Sequence, residues 1–163
     1  MRRTTIEPTN RIPRHENRVR TFSRNYERIV GVGDRYAVEA AEARYLIGHA
    51  SATFGITEPD LAFNSRRRSD TGQCWAPRVL AVRAYGEDRV AAWERHHRRP
   101  YPESGQIRLG TMTTVRTLSH EFGHHLVHVL EPPRTPAHGK VWVARFDDAI
   151  ECIVNHLGVP ATS

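Results

Sequence analysis

Residues 120–124 read His-Glu-Phe-Gly-His, and they lie in a stretch whose apolar residues recur with the period of a helix. Those apolar residues are Val115, Leu118, Phe122, Leu126 and Val129. Because positions i and i+4 of a helix lie on one face, the two histidine side chains can reach the same metal ion. The pattern predicts a helix over residues 113–130, capped by Thr113 and ended by a Pro-Pro pair, with a metal bound at its side.

Glu121 directly follows the first histidine, so its carboxylate would lie beside the metal without serving as a ligand. From there it can take a proton from a water molecule that zinc has made more acidic. We therefore predict that His120 and His124 bind Zn2+ and that Glu121 is a general base. The competing interpretation is a histidine-rich surface helix, since any two histidines four residues apart around a glutamate match so short a pattern.

A catalytic zinc ion needs a third protein ligand and an open fourth position. His128 lies eight residues after the first histidine, a rise of about 12 Å, whereas zinc–nitrogen bonds are about 2 Å long. His125 points about 100° around the helix from His124. The metzincin pattern needs glycine and histidine where this chain has Val127 and Leu130. These two histidines and the metzincin arrangement are therefore excluded.

His138 is the third ligand that we favour, because it follows the two prolines at a point where the chain must turn back toward the helix. Gly139 beside it permits a close backbone approach to a metal site. The second choice is Glu151, which would give a site of two histidines and one glutamate, as in gluzincins. Two further acids on the last helix remain as candidates, Asp147 and Asp148.

The rest of the chain predicts a single α+β domain with a small antiparallel sheet. The spacing of apolar residues, with glycine and proline between the segments, indicates strands at 61–66, 79–85 and 106–109, the first two paired as a hairpin, and helices at 34–54, 87–97 and 141–157. At 163 residues the chain has the usual length of one domain.

The positive charge is concentrated near the N-terminus. Residues 1–30 contain eight arginines and three acids, whereas the formal net charge of the whole chain is +6. We predict a basic, flexible arm over residues 1–33, followed by the folded domain over residues 34–163. Such an arm can bind DNA by neutralising phosphates, and the alternative is a solvated tail.

Two cysteines, Cys74 and Cys152, are too few for a disulfide framework and are expected to be buried apolar residues. No stretch approaches the length of apolar sequence that a membrane helix requires, and the N-terminus lacks the apolar segment of a secretory signal. We therefore expect a cytoplasmic protein without membrane contact.

Four segments resemble one family of peptidases. Residues 118–124 together with 138–142, His-Gly-Lys-Val-Trp, resemble the HExxH and HGxxW motifs of the SprT-like metallopeptidases, the group that includes Spartan. Residues 64–74 resemble the strand and AGxC turn of that family, and residues 106–109 resemble the strand before its active-site helix. The resemblance covers residues 34–157. Residues 75–104 are longer than the corresponding link, and the chain has no CxxC pair for a zinc ribbon.

The resemblance implies a compact zincin-like domain with an HExxH active-site helix and His120, His124 and His138 as zinc ligands. It also implies hydrolysis of peptide bonds, in proteins associated with or crosslinked to DNA. The alternatives are a nucleic-acid-binding module with a structural metal and the gluzincin arrangement. An oxyanion donor is also required, and the sequence alone places none of the available side chains, which are His96, His97, Tyr101 and Arg108.

Overall fold

The computed structural model describes residues 12–64 and 72–157. Its fold class is α+β, as predicted. In chain order the elements are α1 (Ile12–Phe22), α2 (Tyr26–Arg28), a π-helical turn (Ile29–Gly33), α3 (Ala40–Phe54), β1 (Asp60–Asn64), β2 (Gly72–Trp75), α4 (Arg78–Tyr85), α5 (Glu87–His97), β3 (Gln106–Gly110), α6 (Val115–Leu130) and α7 (Lys140–His156). Within the described part of the chain, none of the helices is both long and apolar enough to cross a bilayer.

β3 is the central strand of a three-stranded sheet with the order β1-β3-β2. β1 runs parallel to β3, with Leu61 opposite Ile107, whereas β2 runs antiparallel, with Cys74 opposite Ile107. The sheet is therefore mixed, and the predicted antiparallel sheet was wrong for the β1–β3 pair. A parallel pair needs a crossover of a dozen or more residues, and here the crossover carries β2, α4 and α5.

The strand predicted at 79–85, and with it the hairpin to residues 61–66, was wrong, because residues 79–85 belong to helix α4. The run Val-Leu-Ala-Val-Arg-Ala-Tyr alternates enough to suggest a strand, but its apolar residues also fit a helix. In the helix, Ala81 is buried in a small cluster with Tyr101, and Trp75 and Trp93 pack against that cluster. Packing thus selected one of two structures that the local sequence allowed.

The main core lies between α6 and α7, which form the most extensive helix–helix contact of the described residues. Phe122 of α6 and Trp142 and Phe146 of α7 are its largest fully buried side chains. A Cβ atom on Gly123 would lie 3.1 Å from the Phe146 Cα atom, so glycine at this position lets the two helices approach closely. This close packing fixes α6 against the element that begins just after His138.

The N-terminal segment packs on the domain along the part that the structure describes. Val19 of α1 and Ile29 of the π-helical turn are fully buried in the main core. Ser23 donates a hydrogen bond to Asp147, and the Arg24 side chain forms an ion pair with Asp148. Residues 16–33, predicted as part of a flexible arm, therefore form a packed layer against α7, and residues 1–11 lie outside the described residues.

Candidate metal centre

Helix α6 carries the predicted HExxH residues. Its N-cap is Thr114, whose hydroxyl accepts a hydrogen bond from the Thr117 amide, rather than Thr113 as predicted. Thr113 is buried just before the helix and donates its hydroxyl hydrogen to the Gly110 carbonyl. The apolar stripe of α6 faces the core, and this orientation leaves His120 and His124 half-buried on an adjacent face.

The chain after α6 returns at once toward the two histidines. α6 ends at Leu130, and residues 131–139 form a short connection to α7. His138 is in the left-handed backbone region, with φ of 58°, and Gly139 is the N-cap residue of α7. The return places the His138 ring beside the rings of His120 and His124, so the favoured third ligand joins the predicted pair.

The three rings converge through their Nε2 atoms. The Nε2 atoms of His120 and His124 are 3.2 Å apart, those of His124 and His138 are 3.0 Å apart, and those of His138 and His120 are 3.2 Å apart. A neutral imidazole nitrogen either donates or accepts, never both. Among three such atoms, at least two must be donors or at least two must be acceptors. Two atoms of the same kind cannot form a hydrogen bond with each other. A cation bound to all three lone pairs removes that conflict.

The spacing of these nitrogen atoms fits a transition-metal ion. Three nitrogen ligands at 2.0–2.1 Å around a tetrahedral ion are about 3.3 Å apart, close to the observed 3.0–3.2 Å. Imidazole is a ligand that suits zinc, copper, iron and nickel. The group His120, His124 and His138 could therefore hold one metal ion, and its donor set does not by itself select the element.

Trp142 forms an apolar wall behind the three histidines. Its ring centroid lies 4.7 Å from that of His120, 5.2 Å from that of His124 and 4.7 Å from that of His138. Because Trp142 is fully buried and stacked on Phe146, it restricts the rotation of all three imidazole rings. The tryptophan of the HGKVW segment thus helps to keep the nitrogen atoms converged.

Glu121 is buried, with 6% of its surface exposed, and burial raises the pKa of its carboxyl group to about 7. A cation held by the histidines would oppose this shift, because it favours the carboxylate. The side chain lies directly beneath β2. A Cβ atom on Gly72 would be 2.3 Å from Glu121 Cγ and 2.7 Å from Oε1, so any larger residue would force the Glu121 side chain or β2 to move. Because Gly72 and Glu121 are far apart in the chain, no local sequence pattern indicates this contact.

The rejected histidines have other partners. His125 is fully buried, and its Nε2 atom lies 3.2 Å from the Thr57 carbonyl oxygen. Burial lowers the pKa of His125 to about 4. His128 lines a separate pocket between α4 and the end of α6. Both lie outside the three-histidine group that could hold a metal ion, in agreement with the helical geometry used to exclude them.

The acids of α7 hold the N-terminal segment instead of a metal. Glu151 accepts hydrogen bonds from the side chains of Arg24 and Asn25. Asp147 accepts a hydrogen bond from the Arg24 amide at 2.9 Å, and Asp148 pairs with the Arg24 and Arg145 side chains. The Glu151 carboxylate, the second choice as third ligand, thus lies outside the three-histidine group.

The N-terminal helix contacts the backbone of the third histidine. Arg18 of α1 donates a hydrogen bond from Nη1 to the His138 carbonyl oxygen, with a distance of 3.0 Å. The two residues are 120 positions apart, so no local pattern could have indicated this contact.

Three of the four side chains considered as oxyanion donors contact tryptophan rings. The His97 ring stacks on Trp93 with a centroid distance of 4.0 Å, and Tyr101 packs against the same tryptophan. The Arg108 guanidinium lies over Trp75, 5.3 Å from the ring centroid. These side chains belong to the aromatic cluster around α5 and β2, where they have a packing role.

Comparisons with known proteins do not assign the chain to a family. No family model matches the sequence, and neither the curated proteins nor the solved structures give a significant match. The likeness to SprT-like peptidases thus stays a prediction carried by the motifs quoted above.

Proposed function

We propose that this protein is a zinc-dependent metallopeptidase of the SprT-like, zincin-like type. The observation that carries the proposal is the convergence of three Nε2 atoms, two of which belong to the helix that also carries the buried Glu121. His120, His124 and His138 would hold the ion. Zinc held by three neutral histidines supplies a Lewis acid that polarises a carbonyl and lowers the pKa of water to about 7.

Glu121 would act as the proton carrier of the reaction. One carboxylate oxygen accepts a proton from the attacking water, and the same group then delivers that proton to the leaving amine nitrogen. Burial against Gly72 limits the space open to the side chain and its contact with bulk water. The fully buried Trp142 ring contacts all three imidazole rings and helps to orient them.

The number of protein ligands favours a catalytic metal over a structural one. Structural zinc sites usually have four protein ligands, whereas catalytic sites have three and an open position. Among the described residues the metal-binding group contains three, and all of them are histidines. This count argues against a nucleic-acid-binding module in which the metal only supports the fold.

We further propose proteins bound to DNA as the substrates. The resemblance to SprT-like peptidases and the eight arginines of residues 1–30 support this part of the proposal. Arg18 and Arg20 are exposed on the N-terminal segment, which packs on the domain that carries the histidines.

The experiment that tests the proposed function compares the wild-type protein with Glu121→Gln. Hydrolysis of casein would be measured with and without single-stranded DNA, alongside zinc content. We expect Glu121→Gln to keep its zinc and lose at least about 100-fold in rate, because glutamine preserves size but cannot carry the proton. Full hydrolysis by Glu121→Gln would contradict the mechanism. Zinc and DNA binding without any hydrolysis by the wild type would favour the structural-metal alternative.

A further inference from the structure

A second concave site lies next to the metal centre. It is a cavity of about 140 Å³ between α4, the C-terminal end of α6 and the connection over residues 131–135. Leu80 of α4, Val127 of α6 and Pro132 form apolar walls, and His128 lies between them. None of these residues takes part in the metal site described above.

The position of this pocket relates it to the proposed reaction. His128 follows His124 by one helical turn on the same face, a rise of about 6 Å. The connection that closes the pocket leads directly to His138, the third ligand. An extended peptide advances about 3.3 Å per residue, so a substrate that runs along α6 from a scissile bond at the metal would reach the pocket about two residues away.

The charged groups around the pocket are predominantly positive. Arg83 and Arg134 contribute to its lining, and neither forms an ion pair with another described residue. The Glu131 carboxylate also lines the pocket, but the Arg145 side chain pairs with it at 2.5 Å. The Arg145 side chain thereby balances the negative charge of Glu131. Arg83 and Arg134 then make the electrostatic potential in the pocket positive.

Arg134 lines the pocket, where a hydrogen bond fixes its side chain to α4. Its φ of 65° lies in the left-handed region, which is uncommon for a residue other than glycine. Its Nε atom donates a hydrogen bond to the Ala84 carbonyl oxygen of α4, with a distance of 3.2 Å. This bond uses one of the five N–H donors of a guanidinium group, which leaves capacity for a carboxylate.

We propose that this pocket binds a glutamate or aspartate side chain of the peptide substrate, about two residues from the cleaved bond. The inference rests on the proposed function and adds a preference for acidic substrate segments. Apolar walls suit the methylene part of such a side chain, and the two arginines suit its carboxylate. A lysine at the same substrate position would be disfavoured by like-charge repulsion.

A binding experiment tests the pocket without relying on catalysis. The zinc-loaded Glu121→Gln variant would be titrated by NMR with N-acetyl-glutamate amide and, as a neutral isostere, N-acetyl-glutamine amide. We expect the glutamate derivative alone to shift amide signals of residues 80–85 and 127–135. Adding Arg83→Ala and Arg134→Ala should abolish the shifts, whereas Arg95→Ala, at an exposed arginine of α5, should preserve them. Equal shifts with both derivatives, or none with either, would overturn the inference.

A cleavage experiment links the pocket to the reaction. In a peptide series with glutamate, glutamine or lysine scanned along the sequence, the wild type should prefer glutamate over glutamine about 10-fold in kcat/KM at one position. Arg134→Glu should shift that preference toward lysine. Cleavage without any charge preference would contradict the pocket assignment and leave the peptidase proposal intact. No cleavage of any peptide would contradict the peptidase proposal, while the NMR titration still decides what the pocket binds.

Discussion

Gly72 and Glu121 are in such close contact that the glycine determines where the carboxylate can lie. A methyl group at position 72 would overlap Glu121 Cγ, at 2.3 Å, so either the side chain or β2 must move. A displacement of about 1 Å at a reacting group can cost about 100-fold in rate. We therefore predict that Gly72→Ala lowers kcat/KM about 100-fold and leaves zinc content unchanged, as measured by a peptidase assay and metal analysis.

Gly31→Ala is the matched control for this change. No atom lies within 4 Å of a Cβ built on Gly31, which is exposed, so the added methyl group meets nothing. It should leave both rate and zinc content at the wild-type level. If Gly72→Ala were as active as Gly31→Ala, the position of the Glu121 carboxylate would not matter for hydrolysis, and its role as proton carrier would be in doubt.

His125 makes the stability of the fold depend on pH. Its pKa is about 4 in the folded chain, because it is buried, and about 6.5 when unfolded. Between these values the unfolded chain binds more protons, so the free energy of unfolding falls as the pH drops from about 6.5 to about 4. We predict that this residue alone contributes up to about 3 kcal/mol to that loss, measured by urea unfolding of the zinc-free protein.

His125→Gln tests this pH dependence, since glutamine can still donate a hydrogen bond to the Thr57 carbonyl but does not titrate. Its stability should change less between pH 7 and pH 4.5 than that of the wild type. His96→Gln, which replaces an exposed histidine of α5, should behave like the wild type. An identical pH dependence in all three proteins would show that His125 is not desolvated as the structure indicates.

At the residue scale, the sequence was most informative where chemistry fixes the spacing. The i, i+4 histidines and the intervening Glu121 follow from helix geometry alone, and His138 was favoured because prolines turn the chain back. The contact of Gly72 with Glu121 and that of Arg18 with His138 join distant parts of the chain. Such contacts have no local signal, so only the three-dimensional structure could reveal them.

Helix α1 is the element that links the N-terminal segment to the metal centre. Arg18 donates a hydrogen bond to the backbone carbonyl of His138, a residue in the left-handed backbone region. Groups that orient metal ligands typically change metal affinity 10- to 100-fold when they are removed. Because this contact is exposed, we predict a rise of about 10-fold in the zinc dissociation constant of Arg18→Ala, measured by competition with a chelator.

Arg20→Ala provides the comparison on the same helix. Arg20 is also exposed, but its side chain donates to the Tyr26 hydroxyl at 3.4 Å instead of the metal-ligand segment. The zinc affinity of Arg20→Ala should equal that of the wild type. The zinc affinity of Arg18→Lys should lie between those of Arg18→Ala and the wild type. Equal zinc affinity for Arg18→Ala and the wild type would show that α1 does not position His138.

The most predictable elements were the long helices whose apolar residues recur with the helical period. α6 and α7 occur close to the expected positions, because each has an apolar stripe that fits one core. α3 begins at Ala40, later than expected, because the preceding residues form other contacts with the chain before α6. The short run in α4 had no decisive period, and only its packing against the aromatic cluster determined its structure.

At the scale of the whole molecule, the packing and ion pairs of the N-terminal segment differ from what its composition suggests. The arginine-rich composition indicated an arm that ends at residue 33, but buried Val19 and Ile29 join residues 16–33 to the main core. The acids of α7 that were considered as metal ligands pair with this segment. The contact between the N-terminal segment and α7 thus accounts for both the arginines of the segment and the acids of α7, which the sequence analysis had interpreted separately.

The central claim is that His120, His124 and His138 together bind one zinc ion, and zinc content per chain tests it most directly. We predict about one zinc per chain in the wild type and in His128→Ala, and close to none in His138→Ala. His128 is the matched control because it is a histidine of the same helix outside the converging group. Retention of one zinc by His138→Ala, with loss from His128→Ala, would contradict the account.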